Sequence, residues 1–358
     1  MQELPAFKNP AKFLQTLAEQ ARIRLTYGPE FIGDLEAIPV GMTPRSLVYE
    51  ETPHRLYHYP CSSGVGTPLL MVYSLINRPY IFDLRPGRSL IEYLTQNGFD
   101  VYLLDWGDPT PEMGLVTLSD LVAGTLRRCV RFILRQHKQA QLHLLGYCMG
   151  ATFATLYAGI EPDKVSRLAL LTPILGDDPD GTLQTIVHHQ NLPMGLLDSQ
   201  IVSGRQLKLF FNAVRPVQVI KKERDFWQNF DQDNYLEHFL PVEKWSNDCP
   251  DVPGRAFQEV TDLCIKQNQL VKGPFRLGAH AVNTHAITCP VLAVVAKHDW
   301  IIPQGSLDTC AKALPNAQYT PYLLSGGHIG LVVGRAAGQL WGDLKAFLDT
   351  GSVPAKAA

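Results

Sequence analysis

The chain of 358 residues has no apolar run long enough to span a bilayer, and its cysteines never fall in the close pairs that hold zinc or carry dithiol chemistry. Neither charge sign is in excess. With 32 Lys plus Arg against 34 Asp plus Glu, the formal net charge is -2, which leaves no electrostatic footprint for nucleic acid or for an anionic membrane surface. No glycine-rich loop of the phosphate-cradling kind is present. The opening residues, Met1 to Lys8, have neither a basic stretch nor an apolar one of the secretory type, so the expectation is a cytoplasmic protein. The cysteine count is seven, odd and scattered, which argues against a disulfide framework and against a metal site. Six of the seven read as small buried apolar residues. Cys148 does not.

What the chain does contain is enough apolar sequence, 46% hydrophobic against 18% charged, to bury a large core. Short apolar runs such as Pro68–Tyr73, Val101–Trp106, Gln141–Leu145 and Ser166–Thr172 alternate with helical patterns, the signature of a mainly parallel sheet covered on both faces. Arg55–Tyr59 alternates like an edge strand. Thr117 and Asp120 form a capping signature ahead of a long helix running to about His137. Between about Pro173 and Ala286 the alternation stops. Helical stretches such as Gly204 to Val214 appear, with Phe210, Phe211, Phe226, Trp227, Phe230 and Trp245 nearby. A connection of that length must be folded. The β pattern resumes at Pro290–Val295 and at Gln318–Leu324, and a helix from about Ala336 to Phe347 closes the sheet. The reading is an N-terminal arm (1–50), a first core part (51–173), an inserted cap subdomain (174–286) and a second core part (287–358).

Gly146-Tyr147-Cys148-Met149-Gly150 lies between an apolar strand and an apolar helix. That is the context of a nucleophile elbow, here with cysteine in the place where an α/β-hydrolase fold carries serine. The flanking glycines are required because a side chain two positions either side of the nucleophile would strike neighbouring backbone. Downstream, in the hydrolase order of nucleophile, acid and base, stand Asp299 after one strand and His328, in Ser325-Gly326-Gly327-His328, after the next. Asp105 and Asp120 are rival acids, and only one of His298 and Asp299 can face His328, because successive extended residues point opposite ways. For the oxyanion, the backbone N–H of Met149 at the helix start is one expected donor, and Ile76 or its neighbour Asn77 the second. Cysteine itself is informative. Exchanging one thioester for another conserves the activation of an acyl group, which can then pass downhill to an alcohol.

Leu75-Ile76-Asn77-Arg78-Pro79-Tyr80-Ile81-Phe82-Asp83-Leu84, Asp100 to Gly107, the elbow, Glu243-Lys244-Trp245, Gln267 to Gly273, and Gly326-Gly327-His328-Ile329-Gly330 together resemble the ordered motifs of polyhydroxyalkanoate synthases. The short N-terminal arm is similar to the two-component members. The resemblance implies an acyltransferase that polymerises (R)-3-hydroxyacyl-CoA, with short-chain 3-hydroxybutyryl-CoA expected, and releases CoA. It implies Cys148, Asp299 and His328 as nucleophile, acid and base, and no cofactor, the CoA thioester being the substrate. It also implies a homodimer, a second synthase subunit of PhaE or PhaR type, and residence at polyester granules. The family usually has histidine where Trp300 stands and glycine where Ala151 stands. An acyl-CoA thioesterase or polyester hydrolase, and a granule-associated subunit without catalysis, are the alternatives.

Overall fold

A computed structural model describes residues 35–354 apart from 190–199, 215, 231, 233, 335 and 336. The helical pattern at Pro10–Ala18 lies outside the described residues.

Eight strands make the main sheet: β1 (Ser46–Glu51), β2 (His54–Tyr59), β3 (Thr67–Val72), β4 (Phe99–Asp105), β5 (Leu142–Tyr147), β6 (Val165–Leu171), β7 (Pro290–Ala296) and β8 (Gln318–Leu324). Their spatial order is β1-β2-β4-β3-β5-β6-β7-β8. From β4 to β8 all pairings are parallel, while β1 and β2 join antiparallel at one side. The inner parallel strands are short and mostly apolar because both their faces are buried, whereas the edge strand β8 is largely exposed. Leu69 and Met71 of β3 point to one face, Leu70 and Val72 to the other. The same division by twos sends Leu292 and Val294 one way, and Val291, Ala293 and Val295 the other.

Helices seal each face. On one side lie α1 (Leu90–Gln96), through Leu90, Ile91 and Leu94, and the last long helix, Ala337–Thr350, through Leu340, Leu344 and Phe347. On the other lie α2 (Arg127–His137) and α3 (Met149–Ile160). Ser89 caps α1 by accepting from Glu92 N at 2.9 Å. The Thr117 and Asp120 capping pair is closed in both directions: Thr117 N donates to Asp120 Oδ2 at 2.9 Å, and Asp120 N to Thr117 Oγ1 at 3.1 Å. The turn it starts is π-helical over Asp120–Leu126 before α2 begins, a detail that spacing alone did not reveal.

Two strand expectations change. Arg55–Tyr59 is not an edge strand, because β1 pairs outside it, and β1 begins at Ser46, within the stretch read as an arm. Between β6 and β7 no strand joins the main sheet among the described residues. That span carries α4 (Thr182–His189), α5 (Gly204–Val214), α6 (Pro216–Asn229), α7 (Tyr235–Asn247) and α8 (Gly254–Thr261), with a short ladder, Phe275–Leu277 against His280–Val282.

Candidate active site

Register brings the chemistry to one rim. Val72 pairs with Gly146, Tyr147 with Leu171, and Ala296 with Leu324, so β3, β5, β6, β7 and β8 all end at the same edge. Open parallel sheets bind ligands at that carboxyl edge.

Cys148 follows β5 with φ 54° and ψ -124°, a conformation that a side-chain-bearing residue adopts at a cost of about 1–3 kcal/mol. The surroundings hold it there. Its N–H donates to Leu171 O at 2.9 Å, and its carbonyl accepts from Ala151 N at 2.9 Å. A Cβ on Gly146 would lie 2.4 Å from Ala151 Cα, and one on Gly150 would lie 2.2 Å from Val72 O. The sharp turn from strand to helix therefore needs glycine at both places. Ala151 is fully buried and tolerated, since it points into the core rather than at the turn.

The loops after β7 and β8 meet this turn. His328 Nδ1 lies 2.7 Å from Asp299 Oδ2, with the Asp299 side chain wholly buried and His328 10% exposed. The other Asp299 oxygen accepts from Ile301 N at 2.9 Å and Ile302 N at 3.0 Å, which fixes the carboxylate. Cys148 borders the same cavity as His328 and is an electrostatic neighbour of its ring. Burial alone would depress the imidazole, but the Asp299 carboxylate and then Cys148 outweigh it and raise His328 to about 10. His298 points away, exposed, with its N–H on Gly326 O at 2.8 Å. Asp105 is occupied in a turn, accepting from Gly107 N at 3.0 Å, and Asp120 in its cap.

Met149 N–H opens α3 beside the nucleophile, among the first turn's N–H groups that have no partner within the helix. Ile76 and Asn77 also border the site. The Ile76 N–H, however, donates to Ser74 Oγ at 3.0 Å, and the Asn77 side chain donates to Trp245 O at 3.1 Å.

A cavity of about 530 Å³ opens over Cys148 and His328, walled by Phe210 and Phe211 of α5, Trp245 of α7 and Trp300. Phe211 meets Trp300 edge-on, with ring centroids 6.2 Å apart. Phe210, Phe211 and Trp245 thus face the rim while Phe226, Trp227 and Phe230 do not border the cavity, and Trp300, where the family usually has histidine, is a partner of Phe211. Sequence reasoning missed Tyr73, Tyr147 and Cys249, which also border the cavity. Tyr147 donates to His328 O at 3.1 Å and stacks on Tyr73 at 5.4 Å. Nothing in the local pattern distinguished these from core residues. Among the described residues no cluster of metal ligands occurs, and no helix is long and apolar enough to cross a membrane.

A family model of the alpha/beta hydrolase fold matches residues 67–334. The poly(3-hydroxyalkanoate) polymerase subunit PhaC of Thiocystis violacea is 32% identical, over 92% of this chain and 94% of the relative. The protein of the same name from Allochromatium vinosum is also 32% identical, with the same shares covered. This chain belongs to the PhaC family. Its fold is the α/β-hydrolase fold, which a bacterial membrane phospholipase A shares at a TM-score of 0.55 and 16% identity, over 95% of this chain and 98% of that one. Within the PhaC family the elbow cysteine, the buried carboxylate and the histidine of this chain stand together at the rim.

Proposed function

We propose that this protein is a polyester synthase that joins (R)-3-hydroxyacyl units from their CoA thioesters and releases CoA. The observation that carries the reading is the cysteine on its strained elbow, sharing a cavity with a histidine that a buried aspartate holds at 2.7 Å, in a chain of the PhaC family. Nδ1 of His328 is committed to Asp299, which leaves Nε2 for the sulfur. Cys148 Sγ, its proton already held on His328, attacks the thioester carbonyl. The carbon–sulfur bond to CoA then breaks, CoA takes that proton, and the acyl group stays on Cys148 as a thioester. The hydroxyl of the next unit gives its proton to His328 and attacks the acyl carbon. An ester forms, and the Cys148 thiol recovers the proton. Thioester exchange costs little, and the ester step runs downhill.

The apolar walls suit an acyl chain rather than the nucleotide end of CoA, and short-chain 3-hydroxybutyryl-CoA is the first substrate to test. The word "subunit" in the relatives' names supports a second subunit, and action as a homodimer at the polyester surface in the cytoplasm belongs to the same proposal. Purified protein given (R)-3-hydroxybutyryl-CoA, with and without a candidate second subunit, is expected to release CoA and yield insoluble polyester. Cys148→Ala should lower CoA release by on the order of 10³-fold or more with the fold intact by circular dichroism. Free 3-hydroxybutyrate as the sole product would replace this reading with a hydrolase.

A further inference from the structure

Apart from His328, the charged side chains that border the cavity over Cys148 among the described residues are Lys208 of α5, Lys222 of α6 and Glu243 of α7. They stand together. Both lysines are exposed although they line the cavity, so they mark its mouth. On α5 the neighbouring wall residue Phe211, three positions beyond Lys208 and therefore on the same side of the helix, meets Trp300 next to the catalytic Asp299. One helix thus carries an aromatic wall of the site and a cation at its opening.

A hydrogen-bonded chain holds the charged groups in place. Lys222 Nζ donates to both Glu243 oxygens, at 2.8 and 3.0 Å. Asn247, one turn on from Glu243 along α7, donates from Nδ2 to Glu243 O at 2.7 Å and to Glu243 Oε1 at 3.1 Å. Lys208 Nζ donates to Asn247 Oδ1. An ammonium has three hydrogens to give. Lys208 gives one to a neutral amide, and among the described residues no carboxylate pairs with it. Two ammonium groups against one carboxylate leave the mouth positive, in a chain whose formal net charge is -2. Exposed lysines by themselves signify little, and an exposed ion pair adds little to stability. What distinguishes these two is that they converge from separate helices on the opening of the cavity that holds the nucleophile.

A CoA thioester carries its acyl group at one end of a long arm and a diphosphate and a 3′-phosphate at the other. With the acyl carbon at Cys148 and aromatic walls around the arm, the phosphates meet whatever stands where the arm emerges. We infer that Lys208 and Lys222 form the subsite for the phosphate-bearing end of a CoA thioester, with Glu243 holding Lys222 in position and competing with phosphate for it. The inference rests on the acyl-CoA reading of Cys148 and deepens it, by naming the residues through which this chain tells a CoA thioester from a short thioester that has no phosphates. Ammonium groups at a cavity mouth also draw a polyanionic substrate toward it before contact.

Two unreactive thioethers separate this role from a structural one. S-ethyl-CoA has the phosphates and S-ethyl-pantetheine lacks them, and neither can acylate Cys148, so calorimetric titration of the whole protein reads binding alone. Wild type is expected to bind S-ethyl-CoA at least about 10-fold more tightly, a preference that shrinks in about 0.5 M salt. Lys208→Ala and Lys222→Ala should each weaken S-ethyl-CoA about 5–10-fold and leave S-ethyl-pantetheine within about twofold. Glu243→Gln, which removes the competing charge, should tighten S-ethyl-CoA about 2–5-fold, the opposite of what loss of a structural ion pair would do. Lys221→Ala removes an exposed lysine of α6 that does not border the cavity and should change neither ligand. Lysine variants that bind S-ethyl-CoA as wild type does, that weaken both ligands alike, or that are matched by Lys221→Ala would overturn the inference and leave the CoA reading standing. If wild type bound neither thioether, the CoA reading would fail and this inference with it.

Discussion

At the scale of single residues, the chemistry depends on a charge that burial alone would forbid. His328 lies almost wholly inside the protein, and its imidazolium persists because Asp299 compensates the lost solvation. A folded-state value of about 10, above the ordinary 6.5, means that this group adds stability in full below pH 6.5 and loses it as pH rises toward 10. Asp299→Asn keeps an oxygen for the N–H groups of Ile301 and Ile302 but removes the negative charge. Burial should then prevail and bring the His328 titration below 6.5, followed by NMR of ring-labelled histidine. The loss in Tm should be larger at pH 6 than at pH 10. A His328 titration left near 10 in the variant would assign the shift to something other than the carboxylate.

At the scale of elements, the elbow is a fit between a strand, a helix and the neighbouring strand. Gly150, in the first turn of α3, comes so close to β3 that an added methyl would meet both Val72 O and the Tyr73 carbonyl. Gly150→Ala should destabilise the protein by about 1–3 kcal/mol, read from urea unfolding. It should also reduce acylation, because α3 must retreat from the rim and carry Met149 with it. Wild-type stability would show that the crossing has slack. The sequence made this contact legible in advance: two glycines flanking a cysteine between an apolar strand and an apolar helix have few other uses. The oxyanion loop was less legible. Nothing in Tyr73-Ser74-Leu75-Ile76-Asn77 announces that Ser74 would accept from Ile76 or that the Asn77 side chain would reach the distant Trp245 carbonyl.

For the whole molecule, burial is uneven. In α3 every residue from Met149 to Gly159 is buried, whereas α5 buries only Gly204 and Leu207, and α7 only Pro241 and Trp245. The aromatic group around Phe226, with Phe230, Tyr235 and Phe239, forms its own cluster apart from the two sheet faces. Regions with few buried apolar contacts open at lower free energy than a shared core. Amides in 204–214 and 234–247 should exchange at least ~10²-fold faster than those of β3 to β7 in native-state hydrogen exchange. Equal protection would mean that this roof and the sheet unfold as one unit. Openings there would widen the access of a bulky substrate to the cavity over Cys148.

Periodicity and chain order were enough to set the α/β layering, the elbow, and the sequence of cysteine, aspartate and histidine, because each is written in neighbouring residues or in the succession of strands. Distances across the rim were not. Which acid meets His328, which aromatic side chains roof Cys148, and which donors remain for an oxyanion follow from contacts between segments far apart in sequence. Such contacts leave no local pattern, and they exist only once the parallel strands have brought their ends to the same edge.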